Sequence, residues 1–429
     1  MVRTKEPRVL RPDWVARLTG GKMHESTSPA QDLHWDSRKI APGVAFFALP
    51  GATVHGREFG LQALQSGAPF VVSDQAHPGA VQVEKPERAL LAVGRALRDG
   101  FGGTVLAVGG SSGKTTAKEC LAQGLGWPAP EGNLNNTPGL TRFFFHLEPG
   151  EGCVVELGID RLLEMAELTY LARPDFAVLT SVGVEHLEGL GNLENVIREE
   201  SWLLQVSPLR LASLQAAGMV QIPKLKTYGI EAGDFRACEV EMGRESTRFR
   251  FEKSSITLPY PGVGPVMGAL AALATTRMLG KPIGETIERL STLTLPAGRM
   301  QWFRLGRVDF IHDAYNSNPL SFQAGMEFLK TQPGRKWLVL GRMAELGPEA
   351  LWYHLEAARL AATISPNLVF IGPFAKQQTA EAGGTAVETI EEAAQHLVHS
   401  VKPGDLVYLK ASRSVGLERL LEIWPLEEV

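Results

Sequence analysis

The sequence of 429 residues has few cysteines, little net charge and no long apolar run. Its three cysteines, Cys120, Cys153 and Cys238, are widely spaced and have no metal-ligand partners nearby, so we expect core thiols in a reducing compartment. The 43 basic and 47 acidic residues leave a net charge of -4, which excludes a general basic surface for nucleic acid or an anionic membrane. The N-terminus lacks the apolar core of a signal peptide, and no run reaches the roughly 18 apolar residues that span a bilayer. We therefore expect a cytoplasmic protein.

The composition, with 44% hydrophobic and 21% charged residues, is typical of compact globular domains, and the length predicts two to four of them. Apolar runs of strand type alternate with helical segments, which indicates α/β domains with parallel sheets. Glycines 102 and 103 and the proline- and glycine-containing segment 294–301 interrupt this alternation. We therefore predict three α/β domains. They are a small N-terminal domain (1–102), a central phosphate-loop, ATPase-like parallel-sheet domain (103–296) and a C-terminal Rossmann-like open α/β domain (297–429).

The stretch LAVGGSSGKTTAKE, residues 106–119, follows an apolar run and opens a helical segment. It departs from the strict phosphate-loop pattern because Val108 occupies the place of the first glycine. The remaining glycines would still let backbone N–H groups approach an anion at the positive end of the helix dipole. We predict a nucleotide phosphate site here, the alternative being a glycine-rich turn with a surface lysine. The candidate residues are Gly110, Ser111, Ser112, Gly113, Lys114, Thr115 and Thr116.

Two residues of this loop and two residues outside it suggest metal and phosphate chemistry. Lys114 can neutralise phosphate oxygens, and the hydroxyl of Thr115 or Thr116 can bind Mg²⁺. Glu156 ends the strand CVVELG and His186 follows the strand DFAVLTSVG, so both are expected at the sheet edge that carries the phosphate loop. Taken singly, each of these two residues also fits a capping or core polar role.

Six segments resemble the Mur ligase family, the ATP-dependent enzymes that extend the peptide of the bacterial cell-wall precursor. The resemblance covers nearly the whole chain and is greatest to the member that adds D-alanyl-D-alanine to UDP-N-acetylmuramoyl-tripeptide. The phosphate loop with its trailing Lys118 and Glu119 resembles that member's loop. The segments, in chain order, are DSRKIAPGVAFFALPGATVHGREF, GGSSGKTTAKE, EGNLNNTPGL, DAYNSNPLS, LGRMAELG and LKASRS.

The resemblance implies an amide ligase that uses ATP and Mg²⁺ and forms an acyl phosphate. It implies that the N-terminal domain binds the UDP-substrate, the central domain ATP, and the C-terminal domain the incoming dipeptide and part of ATP. We expect a monomer whose partners are UDP-N-acetylmuramoyl-tripeptide and D-alanyl-D-alanine, with no nucleic-acid or membrane partner. The implied UDP-substrate residues are Ser37, Arg38, Asn135 and Asn136. Arg299, Asp313 and Asn316 are the implied ATP contacts outside the phosphate loop.

The departures from the family lie around the implied catalytic residues, Lys114, His186 and Glu200. The family usually has a lysine after the histidine segment, carbamylated so that its carboxylate bridges two metals, but Glu200 stands there and no lysine occurs between His186 and Lys224. Glu200 either supplies this charge directly or faces solvent on a charged helix. The implied metal ligands are then Thr115, Glu156, His186 and Glu200.

Smaller or different side chains replace the usual residues at four more positions. Gly264 and Gly268 stand where the family commonly has a histidine and an asparagine, Ser181 replaces an asparagine, and Arg342 replaces an aspartate. Two alternatives therefore stay open beside the dipeptide-adding activity. One is another amino-acid ligase of the family, such as the tripeptide-forming one, and the other is a catalytically degenerate relative that still binds a nucleotide.

Overall fold

The computed structural model describes residues 9–25, 27–51 and 53–425. The predicted fold class is confirmed: three separate sheets follow one another along the chain, within residues 22–82, 104–258 and 301–410, each with helices packed on it. The predicted domain limits are compatible with these sheets and stay a prediction. Among the described residues, no helix is long and apolar enough to cross a membrane.

The N-terminal sheet has five short strands: β1 (Lys22–Met23), β2 (Asp32–His34), β3 (Val44–Phe47), β4 (Val71–Ser73) and β5 (Ala80–Gln82). Its order is β1-β5-β4-β3-β2, and β1 alone among them runs antiparallel to its neighbour. The helices are α1 (Pro12–Thr19), α2 (Gly60–Gln65) and α3 (Pro86–Asp99). Helix α3 buries Ala89, Leu90 and Val93, the spacing of one helix face.

The middle sheet has eight strands: β6 (Thr104–Gly109), β7 (Gly152–Glu156), β8 (Phe176–Leu179), β9 (Leu209–Ser213), β10 (Lys226–Ile230), β11 (Phe235–Met242), β12 (Thr247–Phe251) and β13 (Ser254–Leu258). Its helices are α4 (Lys114–Leu125), α5 (Thr137–His146), α6 (Glu164–Ala172), α7 (Leu187–Leu190), α8 (Leu193–Val206), α9 (Leu214–Met219), α10 (Val263–Met278) and α11 (Gly284–Ser291).

The strand order of the middle sheet is β13-β12-β11-β10-β9-β8-β6-β7. The strands from β7 to β11 are parallel, so β6, β7 and β8 end at one edge. In β6, Leu106 and Val108 belong to the core on one face and Val105 and Ala107 to the core on the other, as expected for a parallel strand covered by helices on both sides. This edge carries the site described below.

The C-terminal sheet has six strands: β14 (Gln301–Leu305), β15 (Val308–His312), β16 (Lys336–Leu340), β17 (Leu368–Ile371), β18 (Thr385–Val387) and β19 (Leu406–Lys410). The helices are α12 (Pro319–Thr331), α13 (Ala350–Ala362), α14 (Ala375–Ala382), α15 (Ile390–Ser400) and α16 (Arg419–Glu422). The order is β14-β15-β19-β16-β17-β18, and only the β14–β15 pair of these is antiparallel.

The structure differs from the sequence patterns in two places. The Leu- and Glu-rich tail predicts an amphipathic helix, but α16 has four residues, and Trp424 beyond it packs on Phe310 at a ring distance of 4.8 Å. Strands β12 and β13 extend the middle sheet as an antiparallel arm, whereas the sequence predicts a parallel sheet for the central domain.

Candidate active site

A cleft of about 760 Å³ lies between the carboxyl edges of the middle and C-terminal sheets. It brings together predicted residues that are as much as 200 positions apart in sequence. Lining the cleft are Ser111, Ser112, Gly113, Lys114, Thr115, Thr116, Asn135, Asn136, Glu156, His186, Arg299, Asp313 and Asn316. Among the described residues, Gly110, Ser37, Arg38 and Glu200 were predicted for the site but do not line it.

The phosphate loop joins β6 to α4 through two glycines with positive φ. Gly110 has φ +124°, and a Cβ there would lie 2.3 Å from the Thr180 side-chain oxygen; Gly113 has φ +80° directly before α4. Neither conformation suits a residue with a side chain. The N–H groups of the first turn of α4 then face the cleft side of the loop, which is the arrangement that binds anions.

Ser181, one of the departures from the family, braces this loop. The N–H of Ser111 donates to the Ser181 carbonyl at 2.9 Å, and the N–H of Ser112 donates to the Ser181 hydroxyl at 2.8 Å. The hydroxyl of Ser111 also donates to the Gly183 carbonyl at 2.9 Å. The shorter side chain of Ser181 therefore has a structural task at the back of the loop.

Lys114 is held within the loop by an oxygen on either side. Its Nζ lies 2.5 Å from the Gly110 carbonyl and 3.3 Å from the Glu185 carboxylate. Burial lowers the pKa of Lys114, but the carboxylates of Glu185, Glu200 and Glu156 outweigh it and hold that pKa above its usual value. Lys114 is therefore a cation at neutral pH.

Thr115 and Glu156 meet as predicted at the start of α4. The Thr115 hydroxyl donates to Glu156 Oε2 at 2.8 Å, and the Asn135 amide donates to Oε1 at 3.1 Å. A hydroxyl and a carboxylate beside a phosphate loop are the ligands that Mg²⁺ takes with a nucleotide. Within the described ranges, no group of three or more His, Cys, Asp or Glu side chains could hold a metal alone, so other ligands must come from phosphate and water.

His186 contacts the C-terminal unit. Its Nδ1 pairs with the Glu345 carboxylate and lies 3.2 Å from Asp160, while Nε2 is 3.8 Å from Glu185. Burial lowers the pKa of His186, but Glu345 and Glu185 raise it more, so that it ends above its usual value. Both members of the pair, with φ +46° at His186 and +63° at Glu345, occupy a backbone region that costs about 1 kcal/mol or more in a non-glycine residue.

For Glu200 the structure excludes one of the two alternatives that the sequence left open, and the other, a direct supply of the negative charge, stays a prediction. Glu200 is fully buried on α8 rather than facing solvent, and a Cβ on Gly109 would lie 2.8 Å from its Oε2. Its carboxylate therefore lies beside Gly109 at the end of β6, and Glu200 is not among the described residues that line the cleft. Neither oxygen has a hydrogen-bond partner in the described part of the chain. Burial and the Glu185 charge raise the pKa of Glu200 to about 8.

The C-terminal wall of the cleft carries a half-buried arginine, Arg299. The Arg299 guanidinium lies 4.2 Å from the centre of the Tyr315 ring, and its Nε has no partner among the described residues. Burial lowers its pKa below the usual value. Asp313, by contrast, already accepts from Lys410 Nζ and from the Tyr408 hydroxyl, each at 2.8 Å. A free anion would therefore be drawn to Arg299.

The predicted UDP-substrate residues fall into two places. Ser37 and Arg38 lie in a short 3₁₀ turn of the N-terminal unit, where the Arg38 guanidinium makes two hydrogen bonds to Asp36, at 2.7 and 2.9 Å. Asn135 reaches Glu156 in the cleft, and the Asn136 side chain caps α5 through the N–H of Gly139 at 3.1 Å.

Gly264 and Gly268, the two glycines that differ from the family's usual residues, lie in different surroundings. A Cβ on Gly268 would lie 2.8 Å from the sulfur of Cys120, so this glycine lets α10 pack closely on α4. Gly264 lines the cleft, and a Cβ there would meet no described atom within 4 Å. Arg342 is exposed and lies outside the cleft lining, as far as the described residues go.

The sequence interpretation missed Glu185, Glu345 and Lys410 as site residues. Glu185 directly precedes His186, and the other two lie in the segments LGRMAELG and LKASRS, which were recognised without these residues being selected. Proximity in sequence to a selected residue was the signal for Glu185. The pairing of Glu345 with His186 had no local signal, since 159 positions separate them.

Three Mur ligase domains match this chain in order. The Mur ligase family catalytic domain matches residues 31–96, the Mur ligase middle domain residues 108–276, and the Mur ligase glutamate ligase domain residues 298–413. Among curated proteins, the UDP-N-acetylmuramoyl-tripeptide--D-alanyl-D-alanine ligase of Treponema pallidum is 30% identical over 90% of this chain and 92% of its own. The ligase of the same name from Bacillus subtilis is 29% identical over 90% and 91%.

Solved structures give the same result. MurF from Acinetobacter baumannii superposes with a TM-score of 0.87 at 27% identity, covering 97% of this chain and 99% of that one. MurF ligase from Thermotoga maritima in complex with ADP superposes with a TM-score of 0.81 at 28% identity, covering 92% and 96%.

Proposed function

The chain belongs to the Mur ligase family, and from this premise we propose that it joins D-alanyl-D-alanine to UDP-N-acetylmuramoyl-tripeptide at the expense of ATP. One observation carries the proposal: a single cleft combines a phosphate loop with its lysine, a hydroxyl–carboxylate pair and, on the opposite wall, Arg299, whose Nε has no partner among the described residues. The names of the relatives given above supply the two substrates.

Amide formation needs an activated carboxyl group, because a free carboxylate in water has no leaving group. An oxygen of the substrate carboxylate attacks the γ-phosphorus of ATP, ADP leaves, and an acyl phosphate is formed. The amine of D-alanyl-D-alanine then attacks the carbonyl carbon, phosphate leaves with the bonding electrons, and the amine loses a proton. The products are the amide, ADP and phosphate.

The residues of the cleft have separate tasks in this scheme. The N–H groups at the start of α4 and the Lys114 cation bind the phosphates of ATP, and Arg299 adds positive charge from the opposite wall. Asp313 and Asn316 complete the nucleotide site on the C-terminal side. Thr115 and Glu156 would hold Mg²⁺, which supplies positive charge to the phosphate oxygens when it is bound.

His186 and Glu200 take different parts in the proposal. His186 lines the cleft on the side of Asp160 and Glu345, where it can orient the substrate carboxylate. Glu200 is buried beside Gly109 with a pKa of about 8, so its carboxyl group is largely protonated at neutral pH. We therefore assign it to filling the space behind the phosphate loop and not to ligating a second metal. Ser37, Arg38 and Asn136 are proposed contacts of the UDP-substrate.

The test is Mg²⁺-dependent ADP release by the purified protein with UDP-N-acetylmuramoyl-tripeptide, with and without D-alanyl-D-alanine. Release that needs both substrates is the expected result. Release with free amino acids in place of the dipeptide, and not with the dipeptide, would indicate another ligase of the family. An absence of release with any acceptor would reject catalysis and favour a nucleotide-binding relative.

A further inference from the structure

Lys118 is a buried cation on α4, four residues after Lys114 and outside the cleft lining of the described chain. Its side chain is 1% exposed. An isolated ammonium in such surroundings would be unstable, so a buried lysine needs partners for its charge and its hydrogens. The contacts of Lys118 therefore indicate what it does.

The ammonium of Lys118 has three hydrogens and three oxygen neighbours. Nζ donates to the carbonyls of Pro130 and Gly132 at 2.7 and 3.2 Å and lies 3.0 Å from the Glu119 carboxylate. Two of these oxygens belong to the backbone of one surface segment. We call residues 130–136, which precede α5, the asparagine loop.

The asparagine loop connects the nucleotide site to the N-terminal unit. At its end, Asn135 donates to Glu156, the carboxylate that also accepts from Thr115. Beyond it, Arg142 on α5 donates to Asp32 of β2 at 2.7 and 3.0 Å. The loop therefore lies between the phosphate loop and the strand that leads to Ser37 and Arg38.

The loop itself has few other restraints at its tip. Residues 131–133 are exposed, and the described backbone hydrogen bonds that fix the loop begin at Asn135, whose N–H donates to the Asn133 carbonyl at 2.8 Å and whose carbonyl accepts from Gly158 at 3.0 Å. The position of the tip therefore depends on Lys118, which donates from α4 to the carbonyls of Pro130 and Gly132.

We propose that Lys118 is a positioning residue for the UDP-substrate, because its buried ammonium holds the asparagine loop where Asn135 and Asn136 can meet that substrate. The inference rests on the proposed function for the identity of the ligand. Lys118 touches neither nucleotide nor substrate in this scheme and acts through two backbone carbonyls.

The experiment compares Lys118→Met, which keeps the apolar stem and removes the ammonium, with the parent enzyme. Hydrogen bonds to charged groups are the stronger ones in proteins, so we expect the KM for UDP-N-acetylmuramoyl-tripeptide to rise about tenfold or more. The KM for ATP should stay within about twofold, because the phosphate loop keeps its brace at Ser181. The matched control is Lys226→Met, the same change at an exposed lysine of the middle unit that pairs with Asp234, and it should change neither KM by more than about twofold.

A merely structural role would lower the melting temperature and leave both KM values unchanged, or raise them equally, and either result would overturn the proposal. Calorimetric titration of UDP-N-acetylmuramoyl-tripeptide into parent and variant separates this inference from the activity. If the parent protein releases no ADP but binds the UDP-substrate, the proposed function fails. The role of Lys118 is still tested in that case, because the Kd for the UDP-substrate should be higher in Lys118→Met than in the parent. Should Lys118→Met not fold, Lys118→Arg displaces the donors while keeping the charge, and an unchanged substrate Kd there would count against the proposal.

Discussion

The middle unit joins its two neighbours in contrasting ways. Towards the N-terminal unit it packs apolar surfaces: Phe145 of α5 enters the N-terminal core, and Gly94 of α3 lets Thr141 and Leu171 approach closely. Towards the C-terminal unit only Val184 and Met242 of the described middle-unit residues pack at the edge of the C-terminal core. The contacts around the cleft there are polar, including the His186–Glu345 pair and the Asn318 amide on the Ser111 carbonyl at 2.8 Å.

This difference indicates which of the two interfaces can open. We call the interface with the N-terminal unit the apolar joint and the interface with the C-terminal unit the polar joint. Separating the N-terminal unit from the middle unit is costly because it exposes apolar surface to water. Polar contacts with the C-terminal unit can be replaced by contacts with water at little cost. Polar interfaces within a chain are typical of units that move relative to each other. Opening at the polar joint would admit ATP and the peptide substrate, and closure would exclude water from the acyl phosphate.

The largest effect is expected in the polar cleft, from Lys114→Ala. Loss of a preorganised cation at the phosphate should reduce turnover about a hundredfold or more. Folding should persist, because Glu200 is already largely protonated at neutral pH and Glu185 keeps the His186 ring 3.8 Å away as a second partner. Steady-state ADP release and circular dichroism check the two halves of the prediction. Lys281→Ala, at an exposed lysine of the same unit paired with Glu151, is the control, and substantial activity in Lys114→Ala would reject the role of the loop.

At the apolar joint, we expect a substitution to change the stability of the protein rather than its turnover. A Cβ on Gly94 would lie 2.3 Å from the Thr141 hydroxyl oxygen and 2.9 Å from a Leu171 methyl. Gly94→Ala should therefore lower the free energy of unfolding by about 1–3 kcal/mol, measured by urea denaturation. Gly218→Ala is the matched change in a helix where a Cβ would meet no described atom within 4 Å, and it should be neutral or stabilising by up to about 1 kcal/mol. Equal effects of the two would contradict a tight joint at α3.

A smaller effect is expected from Glu345→Gln, which removes the charge facing His186 across the polar joint. Glu345 is half exposed, and pairs of this kind contribute about 1 kcal/mol or less, so the KM for ATP should rise about two- to fivefold. The melting temperature should not change. Glu327→Gln, on an exposed face of the same C-terminal unit and paired locally with Lys330, should leave KM unaltered. A large loss of stability in Glu345→Gln would mean that the pair fastens the units permanently.

The smallest effect concerns the polar rim of the apolar joint. Burial raises the pKa of Asp32, but hydrogen bonds from Arg142 and His146 outweigh it and hold this pKa below its usual value. A depressed carboxyl pKa stabilises the folded state above the unfolded-state pKa of about 3.9, and this contribution is lost as the pH falls through the folded pKa. Asp32→Asn should therefore cost about 1 kcal/mol or less at pH 7, and the difference from the parent should shrink below about pH 4 in thermal melts. A constant difference at all pH values would exclude the ionic contribution.

The sequence predicts the local parts of this molecule well. Strand β6, the loop and α4 follow from an apolar run, glycines and helical spacing within 22 residues. Thr115 meets Glu156 because parallel strands end at one edge. Glu200 could not be placed, because its position depends on how α8 turns against the sheet. The closeness of Gly268 to Cys120 depends in the same way on packing between helices that are 150 residues apart.

The contact between Gly268 and Cys120 also has a chemical consequence. Burial raises the pKa of the Cys120 thiol far above its usual value, so the reactive thiolate is almost absent while α10 covers α4. Cys238 is half-buried on β11 and would react with a thiol reagent in the folded protein. A thiol reagent should modify Cys120 only after α10 and α4 have separated. The rate of Cys120 labelling therefore measures how often these two helices, which support the phosphate loop, move apart.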